Sequence, residues 1–214
     1  MPEPPIIIAT RGSALALAQA NFIFDQCRVA FPRLAFEIKI FKTTGDKLQT
    51  ASLAQAGQSL PKGLFTKELE VALVRQKADL AVHSLKDLPT ELPAGLTLGA
   101  TTKREDVRDV LIYKTDAQQD GPIPQLASGA RVATSSTRRQ AQLRAARPDL
   151  QLEEMRGNVP TRLEKLAEDD GMAGTILAAA GLNRLHFSIK PDGTLEGDAV
   201  PEGIRAVVLD TDLM

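Results

Sequence analysis

Ala130-Arg131-Val132-Ala133-Thr134-Ser135-Ser136-Thr137-Arg138-Arg139-Gln140 is the stretch from which the fold can be read, because its pattern changes character part-way along. A short apolar run of strand type gives way to small hydroxyl residues suited to cap a helix, and good helix formers then continue through Ala146. The spacing predicts a strand over 131–134 and a helix over 137–146. Arg138 and Arg139 fall in the first turn of that helix, where free N–H groups and the dipole concentrate roughly half a positive charge. Cations are disfavoured there, so the pair reads either as a solvated helix start or as a grip on a bound anion, for which arginine's forked donors are suited. The junction recurs. Arg11 precedes Ser13, a cap for the apolar-rich segment 14–30, and Arg156 precedes Asn158-Val159-Pro160, with Arg162 just inside the next helix.

Working outward, short apolar runs alternate with helical patterns. Strands are expected at 6–9, 36–40, 80–82, 110–113, 150–154 and 174–177, and helices at 14–30, 64–76, 160–168 and 178–185. This is an α/β pattern. The charge-dense segment 103–109 marks a domain crossing, giving domain 1 over 1–104 and domain 2 over 105–200. Residues 203–214 have a final strand's composition and are expected to return to the first sheet, so that two crossings form a hinge. Ligand sites in such folds lie at strand carboxyl ends. Residues 43–63, with Gly45, Gly57, Pro61 and Gly63, read as a long loop near a site.

Composition narrows the ligand. Lys and Arg number 26 against 27 Asp and Glu, so a net charge of −1 gives no general attraction to nucleic acid or to an anionic membrane. Aromatic content of 4% without Trp leaves no stacking platform for single strands. Any anion site is therefore local and its ligand small. Two histidines argue against a metal cluster, and none is expected. The single Cys27 excludes a disulfide framework and fits a reducing compartment; it lies in mid-helix and reads as core rather than nucleophile. The N-terminus MPEPPIIIAT has no leader pattern, and cytoplasmic residence is expected.

Chemistry concentrates in Ala81-Val82-His83-Ser84-Leu85-Lys86-Asp87-Leu88-Pro89, a buried-strand signal running into polar residues. Lys86 can bind a carboxylate, and Asp87 can act as acid, base or stabiliser of a developing cation; the alternative is a solvated loop ion pair. His83 reads as a hydrogen-bonded, half-buried residue, Lys62 as a side chain reaching the cleft, and Arg144 and Arg147 as surface or helix-end charges.

Taken together, Ile8-Ala9-Thr10-Arg11-Gly12-Ser13, Lys62-Gly63-Leu64-Phe65-Thr66-Lys67-Glu68-Leu69-Glu70, the 81–89 stretch, Thr134 to Gln140 and Arg156-Gly157-Asn158-Val159 resemble the porphobilinogen deaminase (hydroxymethylbilane synthase) family in type and order. The resemblance implies two periplasmic-binding-protein-like (type II) domains joined by a two-crossing hinge. It implies a cytoplasmic transferase of porphyrin and heme biosynthesis, in which porphobilinogen loses ammonia and is added stepwise to a linear tetrapyrrole. Asp87 matches the catalytic aspartate. Arg11, Lys86, Arg138, Arg139, Arg156 and Arg162 match basic residues facing acetate and propionate groups, with Ser13, Thr134, Ser135 and Ser136 as supporting donors. The implied partners are porphobilinogen and polypyrrole intermediates. The implied cofactor is dipyrromethane, held in the family by a cysteine in a Gly-Gly-Cys loop of a third domain. That attachment cysteine is absent here, and Cys27 matches the first helix instead. Ala199-Val200-Pro201-Glu202-Gly203 replaces the usual Ala-Val-Gly-Gln-Gly, and residues 58–61 are extra. A third domain is expected to be missing, which leaves a fragment, a split subunit served by a separate C-terminal domain chain, or a paralogue without the cofactor arm. The alternative function is a noncatalytic pyrrole or small-anion binder of the same fold.

Overall fold

A computed structural model describes residues 3–48, 63–114, 123 and 126–214. The chain divides into two compact units, Met1–Thr102 and Lys103–Met214. In the first, β1 (Ile6–Thr10) leads to α1 (Ala14–Ala30), β2 (Phe36–Ile40), α2 (Thr44–Leu48), α3 (Lys67–Val74) and β3 (Leu80–Ala81). β1 is central and parallel to both neighbours, with Ile6 opposite Phe36 and Ala9 opposite Ala81. α1 starts where the sequence places it, because Ser13 is extended and its hydroxyl accepts the Ala16 N–H at 3.3 Å. α3 is shorter than the expected 64–76. Turns occupy 63–66 at its start, where Gly63 has a φ of 78°. At its other end Gln76 turns left-handed at φ 54°, and the N–H groups of Gln76 and Lys77 donate back to Leu73 and Ala72, the paired bonds of a Schellman closure. Leu69 and Ala72, three apart on one helix face, pack with Ala9 and Ala78 in a small core. Within the expected 43–63 loop, Thr44–Leu48 forms α2; Lys62 and the extra residues 58–61 lie outside the described residues.

The second unit contains β4 (Asp109–Lys114), β5 (Arg131–Ala133), α4 (Thr137–Ala146), β6 (Gln151–Glu153), α5 (Val159–Glu168), β7 (Met172–Ala178), α6 (Ala179–Arg184), β8 (Ser188–Ile189), β9 (Leu195–Glu196) and β10 (Ile204–Val208). Its main sheet runs β10-β4-β7-β5-β6, in which β6-β5-β7 are parallel and repeat the β2-β1-β3 plan of the first unit. β4 alternates between two cores. Val110 and Ile112 pack with Leu163 and Leu166 of α5 and Leu182 of α6, whereas Leu111 packs with Leu143 of α4. Each such fully buried side chain contributes about 1.5–3 kcal/mol.

Two expectations are corrected here. The tail strand does not return to the first sheet: β10 pairs antiparallel with β4, from Ile204 opposite Lys114 to Val208 opposite Val110. Its alternation explains why, since Ile204 and Ala206 join one core of the second unit while Val207 and Leu209 meet the other. The units are therefore contiguous, and the chain passes between them once, at Thr102–Lys103, in place of two hinge crossings. Of the two readings of Arg147, the helix-end one holds, since it is the C-cap of α4, and the surface one does not. Arg147 is 9% exposed, and its guanidinium donates to the Ile123, Leu126 and Ala127 carbonyls and to Asp149.

Candidate functional site

In the first unit, the predicted residues follow the carboxyl ends of the adjacent parallel strands β1 and β3. Arg11 leaves β1 with its guanidinium forked onto Asp46 of α2, Nη2 to Oδ1 at 2.5 Å and Nε to Oδ1 at 3.2 Å. The Phe65 ring lies 4.2 Å from the Arg11 Cζ. Burial pushes the Asp46 carboxyl up, but hydrogen bonds from Arg11 and Thr43 outweigh it and hold the group below its ordinary value. Ser13 is occupied as the cap of α1. Lys86 and Asp87 stand exposed on a single 3-10 turn, Leu85–Asp87, with no side-chain hydrogen bond or ion pair among the described residues. The Ser84 hydroxyl ties that turn to Gln19 of α1 at 2.9 Å. His83 is half-buried as expected, yet its ring makes no hydrogen bond among the described residues. Burial keeps its pKa below the usual value, with Asp87 raising it, Arg11 lowering it and Glu70 raising it.

In the second unit, α4 and α5 follow the neighbouring parallel strands β5 and β6, so their N-termini share one sheet edge. Thr134 is buried, its N–H donating to Glu153, and its hydroxyl accepts the Ser136 N–H at 3.3 Å. The Ser135 hydroxyl donates to the Met155 carbonyl at 3.0 Å, joining the two junctions. Ser136 caps α4 and Asn158 caps α5. Arg138 and Arg139 both grip Asp109, at 2.7 and 2.6 Å. Asp109 is 4% exposed; burial raises its pKa, but the two guanidiniums more than offset this and hold it low. Arg139 also donates to the Ile176 carbonyl, while its buried Nε has no partner. Arg156 is exposed and reaches Glu154 at 3.4 Å.

Arg162 differs from these. Its Nε donates to the Gly157 carbonyl at 2.8 Å, and among the described residues no carboxylate meets it. Burial first, and the Arg139 charge second, push its pKa down. A half-buried cation beside a second cation, at the edge where two helices begin, is suited to a polyanionic ligand. Sequence reasoning missed Asp46 and Asp109, which hold Arg11 and the Arg138–Arg139 pair from far away in the chain. The only hint was an acid opening the apolar run of β4.

Comparison with known proteins agrees with this chemistry. A family model described as "Porphobilinogen deaminase, dipyromethane cofactor binding domain" matches residues 6–208. The chain belongs to the porphobilinogen deaminase family. A porphobilinogen deaminase from Lachnospira eligens is 50% identical over 205 residues, covering 94% of this chain and 67% of that protein. One from Trichlorobacter lovleyi is 51% identical over 181 residues, covering 85% and 55%. A third, from Moorella thermoacetica, is 47% identical over 196 residues, covering 92% and 58%. The chain thus spans between 55% and 67% of the length of these relatives.

The porphobilinogen deaminase family description names a dipyrromethane cofactor. The residues present fit its acidic side chains in part: among the described residues the Nε of Arg139 has no hydrogen-bond partner, and Arg162 meets a backbone carbonyl but no carboxylate. They do not fit its covalent attachment. The one cysteine, Cys27, is half-buried on α1, about 12 Å along the helix from Gln19, the residue that contacts the Asp87 turn. Among the described residues there is no metal-binding group of His, Cys, Asp and Glu, and no helix long and apolar enough to cross a membrane.

Proposed function

We propose that this chain acts in hydroxymethylbilane synthesis, binding porphobilinogen and its oligomers through their carboxylates while porphobilinogen is condensed into a linear tetrapyrrole. The observation that carries this reading is Arg162, a half-buried cation with no acid among the described residues, beside Arg139 at paired helix starts. The two units are read as periplasmic-binding-protein-like lobes, each with its own cationic junction. Dipyrromethane would be held through its acidic side chains by Arg139 and Arg162 and would supply a free pyrrole carbon. In each addition the exocyclic C–N bond of porphobilinogen breaks with its electron pair leaving on ammonia, and the freed methylene carbon bonds to the open α-carbon of an acceptor pyrrole, which gives up a proton. Asp87 stabilises the pyrrole cation that develops; its exposure leaves the carboxylate open to pyrrole N–H groups. Arg11, Lys86, Arg138, Arg139, Arg156 and Arg162 orient the acidic side chains, with Lys62 assigned to the same task from sequence. Ser13, Thr134, Ser135 and Ser136 fix the helix starts that carry them. A cytoplasmic setting belongs to the same reading, in keeping with a single free thiol.

The test is calorimetry with porphobilinogen on the parent chain and on Arg162→Leu. A loss of about 1.5–3 kcal/mol is expected, the range for a charge-assisted hydrogen bond. Undetectable binding by the parent, or unchanged binding by the variant, counts against the assignment.

A further inference from the structure

Arg11 is held more tightly than a residue awaiting a ligand needs to be, and the way it is held leaves one side of it unused. A guanidinium offers five donors in a plane. Asp46 takes the Nε edge, at 3.2 Å from Nε and 2.5 Å from Nη2. Asp46 is itself fixed from below, accepting the Thr43 hydroxyl at 2.6 Å and the Thr43 N–H at 3.3 Å, and Thr43 is fully buried. The Phe65 ring covers one face of the guanidinium at 4.2 Å. Gly45 makes that stacking possible: a Cβ at this position would stand 2.1 Å from the ring, and the Gly45 N–H donates to the Leu64 carbonyl at 2.8 Å. Segments 43–46 and 64–65 thus close around Arg11 from an edge and a face. Both Nη1 hydrogens and one on Nη2 have no acceptor among the described residues.

We propose that Asp46 and Phe65 are positioning residues that fix the Arg11 guanidinium so that its Nη1–Nη2 side stands ready for a carboxylate of the bound pyrrole. This rests on the functional reading above. Fixing the fork in advance spares the ligand the cost of ordering a long side chain, which otherwise subtracts from affinity. The opposite role, in which Asp46 competes with the ligand for Arg11, predicts the opposite sign for its removal.

The experiment is a double-mutant cycle on the full chain, reading porphobilinogen affinity by calorimetry in the parent, Arg11→Leu, Asp46→Asn and the double variant, beside the Arg11 Nε–H resonance by NMR. Asp46→Asn is expected to weaken binding roughly fivefold to thirtyfold, to have no further effect once Arg11 is Leu, and to lose the slowly exchanging Nε–H signal. Phe65→Leu, which keeps the carboxylate, is read in the same way should Asp46→Asn fail to fold. Tighter or unchanged binding in Asp46→Asn overturns the proposal, as does a loss that persists in the Arg11→Leu background. If the parent binds no porphobilinogen, the functional reading falls. The Nε–H signal then still decides the placement of Arg11: its loss in Asp46→Asn supports it and its persistence refutes it.

Discussion

Asp109 shows how much one side chain can carry. It is nearly buried and accepts from two guanidiniums, so removing its charge strands Arg139, whose own side chain is 11% exposed. Asp109→Asn should destabilise the chain by about 3–5 kcal/mol, the cost of breaking a buried pair, measured by urea unfolding. The pH dependence has a definite sign. A carboxyl held below its unfolded value contributes stability that is complete above the ordinary aspartate pKa, near 3.9, and is lost as pH falls through the folded value. The parent should therefore weaken below about pH 4, and Asp109→Asn should show a shallower acid limb. Arg138 and Arg139 were legible in the sequence as a grip on an anion. That an in-chain acid already occupies them was not, because Asp109 lies 29 and 30 residues away and proximity over that distance leaves no local pattern.

Helix starts were the most legible elements, since a cap is a local device. Ser13, Ser136 and Asn158 each accept the N–H three residues on, at 3.3, 3.4 and 3.1 Å. Asn158→Ala should cost about 1 kcal/mol in thermal or urea unfolding, and Asn158→Gly only a few tenths. An equal loss in both would mean that the side chain works through contacts other than the cap. The end of α3 was not legible, because its closure uses a left-handed Gln76 where glycine is the usual signal. Gln76→Gly should accordingly stabilise by up to about 1 kcal/mol, by relieving a conformation that a side chain disfavours. The partner of β10 was equally hidden. Alternating apolar residues state that a strand has two faces, but not which sheet receives them.

At the scale of the whole chain, the two units differ in how much they bury. β4 and β7 lie between neighbours in the second sheet, and Val110, Leu111, Ile112 and Ile176 are fully buried, whereas of the 17 residues of α1 only Ala20 is. Hydrogen exchange should be slowest in β4 and β7 and markedly faster along α1. Protection of α1 equal to that of β4 would contradict this. The single passage of the chain at Thr102–Lys103 bears on inheritance as well as on architecture. Residues 103–214 form one uninterrupted stretch, and among the described residues no ladder is severed by a cut before Lys103. A gene fusion or a laboratory graft can therefore part the two units at that one seam, whereas a lobe entered and left by two hinge strands comes away only with both of its seams cut.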